Sequence, residues 1–234
     1  MARTLDPRRL LLPGALATLV LAGALLGALG EATTDDLRQG DGLAELDHPV
    51  ATWLSQHRTG WLTTIMRTIT TLGSPLGVTI TTGLVAAAVC WRTRRLSPVL
   101  LAAIVLAGAE LLETVTKHLV GRPRPPLSLR VPGVSASGFS FPSGHATLAA
   151  AGYGLIAVVL TRYAQRTAAR AVVWAGAATA AAAVGFSRLY LGAHWLSDVV
   201  AGWLIGAAWL GLVVTTATVL TRRVQAARTV DEDG

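Results

Sequence analysis

Seven side chains near the ends of apolar runs have the types that bind and transfer a phosphoryl group. Lys117, Arg122 and Arg124 follow one such run, with Arg130 a few residues on, and Arg188 closes another. His145 and His194 stand at the starts of two more. Cations converging with imidazoles, with few acids nearby, suit a polyanion such as phosphate. Phe141-Pro142-Ser143-Gly144-His145 opens its run, so Ser143 is expected as a helix N-cap and His145 on the first turn. Free backbone N–H groups there attract an anion, and Gly144 would let a ligand approach the backbone closely. His194 and Asp198 are four residues apart, on one helical face. An Asp accepting from one ring nitrogen fixes the tautomer and leaves the other nitrogen as a lone-pair nucleophile or base. Ser187 and Arg188 precede this pair by a short turn, near enough to clamp the same anion.

Glu113 lies four residues before Lys117 and is expected to pair with it, with a proton relay through Glu110 and Glu113 as the competing reading. His118 is expected to form a wall of the site, and His48 and His57 to be solvated or interfacial. Taken singly, these residues have ordinary explanations. A Lys or Arg at the end of a span snorkels to the headgroups, and a His–Asp pair can be a structural hydrogen bond. For Arg122 and Arg130, both snorkelling and contact with a substrate headgroup stay open.

Membrane helices must position these groups. Of 234 residues, 52% are hydrophobic and only 14% charged, with a mean hydropathy of +0.53. A soluble domain carries roughly a quarter charged residues, so this chain cannot cover its surface in water. Six segments, 10–30, 76–91, 98–116, 146–160, 171–186 and 195–220, read as spans, each near the roughly 17–25 residues a bilayer needs. The first is longer than the roughly 7–15-residue apolar region of a signal peptide, so it reads as an uncleaved anchor. Twelve basic and four acidic residues fall on the side of the termini, and eight and seven on the other, for net charges of +8 and +1. That bias places both termini in the cytoplasm and the cation-rich span ends outside. The overall charge of +7 is then mostly topology, and nucleic acid is not needed to explain it. The one Cys, Cys90, excludes an intramolecular disulfide and a Cys-based zinc site. Between the first two spans, Trp53, Leu54, Trp61, Leu62, Ile65, Met66, Ile69 and Leu72 recur at three- and four-residue steps. They predict a helix lying along the interface, with a re-entrant segment as the competing reading. No repeat or linker divides the chain, so one membrane-embedded domain is expected over 1–234, with its motifs in about 98–220.

Three motifs in this setting resemble the type 2 phosphatidic acid phosphatase superfamily, which shares its site with vanadium haloperoxidases. The first is Lys117, six residues, then Arg124-Pro125. The second is Pro142-Ser143-Gly144-His145. The third is Ser187-Arg188, five residues, His194, three residues, Asp198. The resemblance implies an all-α polytopic membrane protein, with six transmembrane helices in an acid phosphatase/vanadium haloperoxidase-like bundle plus an interfacial helix. It implies that His194 attacks phosphorus to form a phosphohistidine while Asp198 orients it. His145 would protonate the leaving oxygen and then deprotonate water. Lys117, Arg124, Arg188, Ser143 and the Gly144 backbone would bind the phosphoryl oxygens. Glu113, Arg122 and Ser187 are secondary candidates. No cofactor and no metal are expected, because three fixed cations can neutralise the charge and no Asp/Glu cluster exists to hold magnesium. The expected partner is a membrane lipid phosphate or diphosphate: an isoprenoid (undecaprenyl-type) diphosphate, phosphatidic acid or phosphatidylglycerophosphate. A transporter or flippase using the basic outer site is the rival reading, though it would spread ionisable groups through the membrane depth. A haloperoxidase-like oxyanion-binding protein is another, though those enzymes are soluble.

Overall fold

Backbone in a bilayer core finds no water, so long apolar runs close their own hydrogen bonds as helices. The computed structural model describes residues 42–134 and 137–232, and every regular element among them is helical. A 3-10 turn at Gly42–Leu46 leads into α1 (Asp47–Gln56) and α2 (Gly60–Leu72). Five longer helices follow: α3 (Pro75–Thr93), α4 (Ser97–Val120), α5 (Gly144–Thr161), α6 (Thr167–Tyr190) and α7 (Leu196–Glu232). All five are long and apolar enough to cross a membrane, and the protein is a multi-pass membrane protein. The span expected at 10–30 lies outside the described residues. Most helix ends outrun the expected spans by a few residues, and α7 runs well beyond 220, because Thr, Arg, Gln and Ala end the apolar stretch without ending the helix.

The segment expected as one interfacial helix is two. Thr59 is extended (φ −122°, ψ 151°), and long-range bonds hold the break. Arg58 donates to the carbonyls of Tyr190 (2.9 Å) and Leu129 (2.7 Å), and the Thr59 N–H donates to the Tyr190 hydroxyl (3.0 Å). These partners lie far along the chain, so nothing local signals the interruption. α2 buries Met66 and leaves Trp61, Ile65 and Leu72 exposed.

α5 is the hub. Its apolar window is 61% buried against 11% for α6, which places α6 on the perimeter of the bundle. α5 packs on α3, α4, α6 and α7, and it does so with small residues: Ala146, Ala149, Ala151 and Ala157 are fully buried. On α7, Gly202 and Gly206 are one turn apart and meet the same surface. A Cβ on Gly202 would lie 2.7 Å from the Ser143 carbonyl oxygen, and one on Gly206 would lie 3.1 Å from the Ala150 Cβ. This small-xxx-small contact lets two backbones approach where lipid offers no hydrophobic drive. It also sets the start of α7 against the start of α5, where the Ser143 N–H donates to the Asp198 carbonyl (3.0 Å).

Candidate active site

Four helix ends and the 121–143 loop meet at one end of the bundle around a cavity of about 380 Å³. Lys117, Arg124, Gly144, His145, Arg188 and His194 line it, with Glu113, Glu110 and Thr114 along α4. Six of the eight main residues singled out in the sequence thus share one wall. The other two, Ser143 and Asp198, stand fully buried behind it.

His194 sits in the turn between α6 and α7 and is almost fully buried. Its Nε2 lies 3.0 Å from Arg124 Nη1. Arginine has only donors, so Nε2 must carry the lone pair and Nδ1 the proton. Nδ1 faces Asp198 Oδ2 at 3.4 Å, close enough for electrostatic attraction but without the geometry of a formed hydrogen bond. Burial pushes the imidazole down to about 4; Asp198 opposes this, and Arg124 and Arg188 reinforce it. At neutral pH the ring is therefore neutral, with its lone pair on the cavity side.

Asp198 is held from several directions. Its Oδ2 accepts from the Trp195 N–H (2.9 Å) and from the Ser140 hydroxyl, and its Oδ1 accepts from Arg122 Nη1 (2.6 Å). The bond to Trp195 is half of a capping box, an acid at the third helical position reaching back to the N-cap amide. Local helix chemistry therefore aims this carboxylate.

The cations differ in how they are held. Arg124 donates to the carbonyls of Ser137 (2.9 Å), Gly138 (3.0 Å) and Ala193 (2.9 Å), which lock its plane. Arg188 donates to the Thr70 hydroxyl (2.8 Å), while its buried Nε has no partner. Neither makes a salt bridge among the described residues, so their charge is available to an anion. Lys117 pairs with Glu113 across one helical turn.

Several expectations change. Ser143 occupies the N-cap position of α5, but its hydroxyl makes no cap bond and is buried without a partner. Such a group costs about 1–3 kcal/mol unless a ligand satisfies it. The closeness at Gly144 is used by protein: a Cβ there would meet Glu113 Oε1 at 2.5 Å. Ser187 turns its hydroxyl back to the Val184 carbonyl (2.6 Å), away from the cavity. His118 lies outside the lining, exposed and edge-on to Phe139 at 5.8 Å between ring centroids. Arg130 donates to the Pro125 carbonyl (2.7 Å). Arg122 neither snorkels nor faces the cavity, because it bridges Asp198 and Asp47, the latter at 2.6 Å. Asp47 was missed in the sequence, where it reads only as one more outer acid. It is 1% exposed and accepts from the Ser197 N–H (2.9 Å) and hydroxyl (2.6 Å), capping the first turn of α7 from across the fold. Its partners Arg122 and Ser197 are 75 and 150 residues away, so no local signal could have found it.

The sequence pattern of the PAP2 superfamily matches residues 98–222, and the chain belongs to that superfamily. Phosphatidylglycerophosphatase B of Bacillus subtilis is 35% identical over 162 residues, which cover 67% of this chain and 75% of that protein. An undecaprenyl-diphosphatase of Sulfolobus acidocaldarius is 30% identical over 127 residues, 52% of this chain and 55% of its own length. The crystal structure of a transmembrane PAP2-type phosphatidylglycerolphosphate phosphatase from Bacillus subtilis superposes with a TM-score of 0.72 at 28% identity. That superposition covers 85% of this chain and 95% of the other.

Proposed function

We propose that this chain is an integral membrane lipid phosphatase that hydrolyses a phosphomonoester or diphosphate through a phosphohistidine on His194. The observation that carries this reading is the His194 Nε2 lone pair, held at the wall of a cavity where Arg124, Arg188 and Lys117 converge. Phosphoryl transfer gains most from in-line positioning and from neutralising charge on the equatorial oxygens. On substrate binding, Arg124 exchanges its contact with Nε2 for a phosphoryl oxygen, which frees the nucleophile. The Ser143 hydroxyl and Arg188 Nε, both unpartnered, supply further donors to those oxygens. Lys117 leaves Glu113 for the incoming anion. His145 serves the leaving oxygen and then the attacking water, and Asp198 stabilises the charge His194 acquires. Three fixed cations stand where a metal would act, so activity without a divalent ion is expected. The names of the relatives support a lipid phosphate substrate. The test is hydrolysis of isoprenoid diphosphate, phosphatidic acid and phosphatidylglycerophosphate by protein purified in detergent with EDTA. At least one should release phosphate at an undiminished rate; a strict requirement for added metal would overturn the metal-free mechanism.

The same reading puts both termini in the cytoplasm and the cavity at the extracytoplasmic face, supported by the charge bias between the two sides. Ser128 is exposed on the loop that borders the cavity. In a Cys90→Ser background, Ser128→Cys should react with an impermeant maleimide added outside intact cells. Labelling only after lysis would reverse the orientation.

A further inference from the structure

At the other end of the bundle lies a second cavity of about 370 Å³, among the ends of α3 and α5, the start of α4 and residues 217–222 of α7. It lies about 25 Å from His145 along α5, at 1.5 Å per residue, so it is no part of the reaction cavity. Arg95, Arg162 and Arg222 line it, contributed by the α3–α4 link, the C-cap of α5 and the C-terminal half of α7. No Asp or Glu lines it, and none of the three makes a salt bridge among the described residues.

Charge bias at this side of the membrane accounts for arginines, but not for their convergence. Cations that only snorkel spread outward into water, since like charges repel and water stabilises each separately. Arg95, Arg162 and Arg222 are exposed yet border the same half-open space, where an anion would offset their mutual repulsion. The cavity's other wall narrows the choice, because Val89, Leu101 and Val159 form an apolar floor beneath the cationic rim. A charged rim over an apolar floor, at the level where spans end, matches a phospholipid with its phosphate at the interface and its chains below. Basic pockets between spans are a recognised way to hold such headgroups, and the volume suits a small ligand.

We propose that this cavity binds one anionic phospholipid, its phosphate held by Arg95, Arg162 and Arg222 and its first chain carbons resting on Val89, Leu101 and Val159. The site ties α5 and α7 to the α3–α4 link through a lipid. It requires nothing of the reaction at the opposite end.

The test uses full-length protein in dodecyl maltoside, titrated with dihexanoylphosphatidylglycerol while thermal unfolding is followed. This lipid is a phosphodiester, so its binding does not depend on monoester hydrolysis. A saturable rise in Tm is expected, with none for dihexanoylphosphatidylcholine, which has the same chains and no net charge. In Arg95→Gln/Arg162→Gln/Arg222→Gln the apparent Kd should weaken by at least about tenfold. A control with the same charge change outside the cavity, Arg92→Gln/Arg166→Gln/Arg223→Gln, should stay within about twofold of wild type. The single variant Arg162→Gln, which keeps two of the three cations, should weaken binding by roughly threefold and serves if the triple variant does not fold. Equal weakening in both triple variants would reduce the effect to diffuse surface charge and overturn the proposal. A full Tm rise with inorganic phosphate alone, or with phosphatidylcholine, would overturn the lipid assignment.

Discussion

His194→Ala is expected to lower turnover of the preferred lipid phosphate at least about a thousandfold, with KM changed far less. On the proposed reading the variant loses the attacking nitrogen, while Arg124, Arg188 and Lys117 remain at the cavity wall to hold the phosphate. Label from a ³²P-phosphate substrate, trapped at alkaline pH where phosphohistidine survives, should vanish with it. Retention of activity within tenfold of wild type would falsify the nucleophile assignment. The same substitution has a second signature, in stability. An unfolded chain protonates His194 near the ordinary 6.5, whereas burial in the fold pushes it to about 4. Protonation therefore favours the unfolded state. The neutral ring's contribution is complete above about pH 6.5 and is lost as pH falls from there toward 4. Thermal unfolding in detergent should show wild type losing stability across that window, and His194→Ala should lack this component.

The membrane helices and the cation-lined wall of the cavity were legible because both are written locally. Apolar runs bounded by arginine mark spans whatever they pack against, and each motif residue sits at a fixed offset from a helix end. His194 and Asp198 share a face through helical spacing alone, and Pro142-Ser143-Gly144-His145 announces a helix start. What stayed hidden depends on contacts between distant segments. The Arg58–Thr59 break needs Tyr190 and Leu129. The Gly144 site is tight because Glu113 arrives from another helix. Ser143 carries the residue type of a capping side chain, and only the folded structure shows that its hydroxyl caps nothing. Arg122 stands two residues before Arg124, and their numbers cannot show that one guanidinium faces the cavity and the other the protein.

Arg122→Leu should be among the most damaging substitutions outside the cavity, at about 3–5 kcal/mol of stability. Asp47 and Asp198 are 1% and 0% exposed, and Arg122 is the cation that contacts both among the described residues. Leucine would fill much of the volume and leave two buried carboxylates about one guanidinium apart, with their repulsion unopposed. Asp198 would keep its bonds from Trp195 and Ser140, and Asp47 those from Ser197. Those donors satisfy lone pairs but do not neutralise charge. Asp47→Asn alone should be mild, because Arg122 retains Asp198 and the amide oxygen can still accept from the Ser197 N–H. The double variant Arg122→Leu/Asp47→Asn removes one of the two stranded charges and should recover part of the lost Tm. That recovery separates a charge network from simple packing. Loss of the guanidinium's van der Waals contacts would give the same Tm with either residue at position 47, and no recovery on adding Asn would show that the bridge does not hold α1 to α7 by charge.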